Sequence, residues 1–150
     1  MTPIGSSTIT DYADDFSLVY DQSANWVLAT TYPQYFDGDT SRFSRTSNTS
    51  TQYLVWNFTG LTNFNARLYH RVEDSLSSLV AISTSSDGVN WTSLSYASTS
   101  PVDTGGQWRR VQVTPSQTLP IGTNYLKIEF MNGTWAWTPA LSQIEITYSG

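Results

Sequence analysis

Apolar residues recur at every second position over much of this chain, and no ten-residue stretch carries the repeat of an amphipathic helix. The alternating runs predict strands over Trp26–Thr30, Ser41–Thr46, Gln52–Phe58, Asn63–Val72, Leu79–Ser85, Trp91–Tyr96, Trp108–Val113, Tyr125–Phe130 and Leu141–Tyr148. Turn signals fall between them: Asp37-Gly38-Asp39, Thr59-Gly60, Asp87-Gly88, Gly105-Gly106, Pro120-Ile121-Gly122 and Asn132-Gly133. Many short strands at this spacing point to a sandwich or barrel. The expected fold is all-β: a two-sheet antiparallel β-sandwich of jelly-roll type. Its 150 residues suit one domain, with 1–7 read as a linker remnant and Met1 as a start residue placed on a segment of a longer protein.

Successive side chains of a strand point to opposite sides, so the alternation also assigns faces. Leu54, Trp56, Phe64, Ala66, Leu68, Val111, Val113, Leu126, Ile128 and Phe130 form the expected core, and His70 travels with them. The opposite face of the same strands carries Tyr53, Arg67, Tyr69, Arg71, Trp108, Arg110, Tyr125 and Lys127. Provided these strands share a sheet, flat rings and fixed cations stand side by side. Aromatic rings stack on the apolar faces of pyranose rings, and polar side chains bond the hydroxyls. Arginine also grips a carboxylate through two parallel bonds. The plainer alternative is a solvated face with cross-strand pairs, such as Arg71 with Glu129.

Composition narrows the field. Charged residues are only 13%, aromatics reach 14%, and Ser and Thr number 21 each. A net charge of −5 argues against general nucleic-acid binding, which needs a basic face. No apolar run approaches the roughly 20 residues of a membrane helix. The lack of cysteine removes disulfides, thiolate metal sites and thiol nucleophiles. This cysteine-free, Ser/Thr-rich make-up suits a secreted, extracellular bacterial protein, expected to be monomeric.

Two loops add aromatic residues. Trp135 and Trp137 stand two apart, so in an extended segment both rings point one way; Trp135 is a candidate stacking residue and Trp137 is expected to plug one end of the sandwich. Tyr32, Tyr35 and Phe36 form a second aromatic loop that Pro33 keeps irregular. Asp37 and Asp39, with Asp15 and Glu145 brought close by the fold, would offer hard oxygen ligands for one structural Ca²⁺. The alternative there is a plain Asp-Gly turn.

Catalysis finds little support. His70 is the single histidine and lies on an apolar strand face, and no Gly-x-Ser-x-Gly elbow occurs. The acids fall mostly in turns; only Glu73 and Glu129 offer a cross-sheet carboxylate pair of the kind a glycosidase uses. A lyase built on Tyr69 with Arg67 and Arg71 is the remaining enzymatic reading.

Several segments resemble a known family. They are Asp14-Asp15-Phe16-Ser17, Ala24-Asn25-Trp26, Gly38-Asp39-Thr40-Ser41-Arg42, the hairpin Ser85-x-Asp87-Gly88-x-x-Trp91, Trp108-x-x-Val111, Leu119-Pro120-x-Gly122-Thr123-Asn124-Tyr125-Leu126-Lys127-Ile128 and Leu141-Ser142-x-Ile144-x-Ile146. Their order and spacing over residues 12 to 148 resemble the β-sandwich carbohydrate-binding modules of bacterial polysaccharide-degrading enzymes, and more distantly discoidin-like domains. The resemblance implies a module that binds polysaccharide without chemistry, works beside the catalytic module of its parent chain, and carries one calcium. The basic bias points to an acidic gum such as xanthan. Neutral β-glucan or mannan, or a surface spacer without glycan binding, are the alternatives.

Overall fold

The computed structural model describes residues 6–47, 50–131 and 135–149. The expected turn at Asn132-Gly133 lies outside them. The described residues form thirteen strands: β1 (Ser7–Asp11), β2 (Asp21–Gln22), β3 (Trp26–Ala29), β4 (Arg42–Arg45), β5 (Gln52–Asn57), β6 (Leu61–Arg71), β7 (Val80–Ser85), β8 (Thr92–Ser93), β9 (Tyr96–Ser98), β10 (Val102–Gly105), β11 (Trp108–Pro115), β12 (Tyr125–Phe130) and β13 (Ala140–Tyr148). Among the described residues helix is confined to a 3₁₀ turn at Pro33–Tyr35 and the four-residue α1 (Leu76–Leu79).

The strands form two antiparallel sheets packed as a sandwich. The larger runs β10-β11-β6-β13-β4-β3, with β1 added on β13 and β9 on β11. The smaller runs β2-β5-β12-β7-β8. Between them lies the alternating apolar set of both sheets, including Leu54, Trp56, Phe64, Leu68, Val111, Ile128 and Ile144. Burial of such side chains is worth about 1.5–3 kcal/mol each. Trp56 is fully buried, and its indole N–H donates to the buried Asp11 carboxylate across 3.0 Å. That bond ties β5 of one sheet to β1 of the other.

The expected strand over Trp91–Tyr96 is divided. Thr92 pairs with Thr84 in the smaller sheet, whereas Tyr96 pairs with Pro115 in the larger. Leu94, buried between them, lets the chain cross from sheet to sheet. Strands β1, β2 and β10 escape the sequence pattern because they are short, polar and peripheral.

The strands expected to share one ring-and-cation face lie in two different sheets. β11 and β6 are neighbours, with Trp108 opposite Arg71 and Arg110 opposite Tyr69. β12, however, lies in the other sheet between β5 and β7. Tyr53, Tyr125 and Lys127 therefore face away from Arg67, Tyr69, Arg71, Trp108 and Arg110, on the far side of the molecule. The same split separates Glu73 from Glu129, so those two carboxylates cannot pair. Arg71 bonds Glu73 instead, at 3.2 Å.

Replacing Trp56 by Phe keeps a ring but strands the Asp11 oxygen in the core. We expect a loss of about 2–4 kcal/mol in urea unfolding, from the unmet acceptor and the small cavity together. An unchanged midpoint would show that water reaches Asp11.

Candidate functional site

The outer face of the larger sheet is not flat. Its alternate positions on β3, β4 and β13 are Ala29, Ser44 and Ala140, and these small side chains leave a hollow between taller neighbours. The hollow is a cleft of about 420 Å³. Tyr32 and Tyr35 border it from the loop after β3, their rings stacked at 5.9 Å. Trp108 and Arg71 border it from β11 and β6, and Trp137 from the segment before β13.

The rings form a chain of contacts. Trp135 stacks on Trp137 at 5.5 Å with an interplanar angle of 15°. Trp137 leans on Trp108 at 5.5 Å, and Trp108 on Phe36 at 4.7 Å. Arg71 lies 5.4 Å from the Trp137 ring centre and binds the Gly106 carbonyl and the Gln107 amide oxygen. Glu73 accepts from Arg71 and from the Trp135 indole, both at 3.2 Å. Its own backbone N–H, then Arg71 and Trp135, hold the Glu73 carboxyl below its ordinary range. Gly106 lies under Tyr35: a Cβ there would stand 2.8 Å from the ring, at φ +59°.

Both aromatic walls hang on β4. Arg42, buried, donates to the carbonyls of Asp39 at 2.8 Å and Thr31 at 2.6 Å, with its guanidinium 3.7 Å from the Phe36 ring centre. Arg45, also buried, donates to five carbonyls, of Phe130, Met131, Trp135, Ala136 and Thr138, the shortest at 2.7 Å. One arginine thus fixes the tyrosine loop and the other the tryptophan segment. Their parity differs, so one guanidinium sits on each side of the strand.

No family model matches this chain, and no curated protein matches it. Solved structures share a similar course of chain at low identity. An exo-β-1,3-galactanase from Phanerochaete chrysosporium is 15% identical with a TM-score of 0.46; the match covers 95% of this chain and 29% of that one. Chitosan-binding module 1 of a chitosanase/glucanase from Paenibacillus sp. IK-5 is 16% identical with a TM-score of 0.43, covering 94% and 93%. The catalytic domain of a GH87 α-1,3-glucanase is 15% identical with a TM-score of 0.48, covering 95% and 28%. This chain therefore spans less than a third of the galactanase and glucanase chains.

The sequence-predicted residues separate into three groups. Arg71 and Trp108 line the cleft, and Trp135 stacks on Trp137, which lines it too. Tyr69 does not serve as a stacking platform: it is 0% exposed, because Phe36 packs over it at 5.1 Å. Its hydroxyl donates to Asp37 at 2.6 Å, and burial followed by that carboxylate pushes the phenol pKa up, so it stays protonated. Trp108 is buried too, and only its cleft-side edge is presented. Trp137, expected as a plug, is 42% exposed and lines the cleft.

The third group lies on the smaller sheet. Lys127 sits 4.4 Å from the Trp91 ring centre, Tyr125 packs on Gly88 and Tyr20, and the Tyr53 hydroxyl faces Asp21. The proposed calcium ligands do not converge either. Asp37 accepts from Tyr69 and Arg110, Asp39 from the Ser41 N–H and the Ser142 hydroxyl, and Asp15 from Ser17. Glu145 stands on β13 opposite Thr10 and Asn65. Among the described residues no three acidic or histidine side chains gather at one point. These residues do not fit a calcium site.

Two outcomes follow from this geometry. Arg45→Met strands several carbonyls and should cost about 3 kcal/mol or more. It should also erase the far-ultraviolet dichroic couplet of the stacked Trp135–Trp137 pair; a retained couplet would show that the segment holds itself. Burial works to raise the Asp37 pKa, but hydrogen bonds from Tyr69 and Arg110 and the charges of Arg110 and Arg67 lower it overall. Its contribution is thus present above about pH 4 and lost as pH falls through its lowered value. Asp37→Asn should make acid unfolding shallower there, and an unaltered slope would contradict this.

Proposed function

We propose that this chain is a non-catalytic carbohydrate-binding module that seats a glycan chain in the aromatic cleft, on behalf of a secreted polysaccharide-degrading enzyme. The observation that carries this reading is one cleft lined by rings from two separate loops, the exposed Trp137 from the segment before β13 and the exposed Tyr32 with Tyr35 from the loop after β3. Pyranose rings are apolar on their faces and polar at their rims. Stacked rings meet the faces, and solvent meets the outward hydroxyls. A shallow, partly wet site of this kind binds at micromolar strength or weaker, about 8 kcal/mol or less.

Several features support binding without chemistry. The Tyr69 hydroxyl is sealed beneath Phe36 and bonded to Asp37. His70 is buried, with Nδ1 2.8 Å from the Arg71 carbonyl.

Charge favours a neutral glycan such as β-glucan or mannan. Arg71 is paired with Glu73 and Arg110 with Asp37 at 2.7 Å, while Lys127 lies on the other sheet. One observation favours an acidic gum such as xanthan as a second reading. Arg67, on the same sheet face, forms no ion pair among the described residues.

Affinity gel electrophoresis against neutral and acidic polysaccharides, at low and high salt, tests both. We expect salt-insensitive retardation by a neutral polymer, weakened about tenfold by Trp137→Ala and unchanged by Lys127→Ala. Retardation only by an acidic gum, lost in salt, would select the second reading. No retardation by any polymer would leave a spacer domain, and release of reducing ends would make the chain an enzyme.

A further inference from the structure

On the other side of the Phe36 loop lies a second depression, of about 250 Å³, distinct in chemistry from the cleft. It is polar where the cleft is aromatic. Asp37, Arg67, Gln143 and the exposed Tyr12 line it, and Gly38 forms part of its border.

Two of its side chains are half used. Asp37 accepts from Tyr69 and Arg110 through Oδ2 alone, and Oδ1 has no hydrogen bond among the described residues. Arg67 donates through Nε to Gln112 at 2.9 Å, and both its Nη atoms have no hydrogen-bond partner there. Each group is therefore oriented by an internal bond and keeps its remaining valences for the depression. Preorganised groups of this kind need little ordering when a ligand arrives. Asp39, by contrast, uses both oxygens internally.

The pairing of charges selects the ligand. An anion meets Asp37 and Asp39, and a cation meets Arg67. A hydroxyl both donates and accepts, so two adjacent hydroxyls satisfy a free carboxylate oxygen and a free guanidinium edge together. Tyr12 is 61% exposed and offers a ring beside them. We propose that this depression is a second carbohydrate site, which takes a single neutral hexose through a vicinal diol held between Asp37 Oδ1 and the Arg67 guanidinium. The inference rests on the carbohydrate-binding reading for its ligand class, while its location and chemistry are separate from the cleft. A module with both sites would hold one chain in the cleft and a branch or chain end in the pocket.

Nitrogen-15 correlation spectra of the whole domain test this, with the methyl glycosides of glucose, galactose and mannose as probes. At least one glycoside should shift the Gly38, Ser142 and Gln143 amides saturably, in the parent protein and in Trp137→Ala alike. Arg67→Met should abolish those shifts, and Tyr12→Ala, at an exposed position, should weaken them at least fivefold. Pocket amides that stay still with all three glycosides, or that shift equally in Arg67→Met, would overturn the inference. The cleft reading stands or falls separately, on the gel retardation and its loss in Trp137→Ala.

Discussion

Two arginines buried on one four-residue strand hold the aromatic face together. Arg42 and Arg45 donate to backbone carbonyls, Arg42 to two in the loop after β3, and Arg45 to one at the end of β12 and four in the segment between β12 and β13. A guanidinium carries five donors in a rigid fork, so it can collect the carbonyls of an irregular segment that has no ladder to join. Loops normally leave such groups to water. Here the donors are supplied from below, and the loops can lie against the sheet with their aromatic side chains displayed. Burial weakens the hold of each guanidinium on its charge, and Asp39 and Asp74 partly offset this.

The second consequence is a small satellite core on the outside of the larger sheet. Phe36, Tyr69 and Trp108 are buried there as a cluster of their own, with Tyr35 packed against it. A face that alternation marks as solvent-directed thus becomes half interior. The cleft exists because this cover is incomplete: it stops at Ala29, Ser44 and Ala140, where nothing stands tall enough to meet it.

The sequence pattern made the strands legible, since alternation is a local property. Leu54, Trp56, Phe64, Val111 and Ile128 all point inward as their parity requires. Pairing partners are not local, so β12 gave no sign that it belonged to the opposite sheet from β6 and β11. Parity also assigned Tyr69 to the outer face correctly, yet missed its burial, because the lid comes from Phe36 over thirty residues earlier in the chain. The structural arginines were hidden for a similar reason. In Arg42-Phe43-Ser44-Arg45 polar residues occupy both parities, which reads as a weak strand unless the loops that need its donors are known. The aromatic segments around Tyr32 and Trp137 were visible as composition, but their convergence on one cleft was not.

The sheet margins bear on how copies of this chain behave when crowded. The smaller sheet ends in two-residue strands on both sides, β2 and β8, and the edge strands of the larger, β10, β3, β9 and β1, are none longer than the five residues of β1. So few free N–H and C=O groups give an incoming strand almost nothing to pair with. Copies of the chain can therefore be concentrated without the strand-to-strand pairing that long free edges invite.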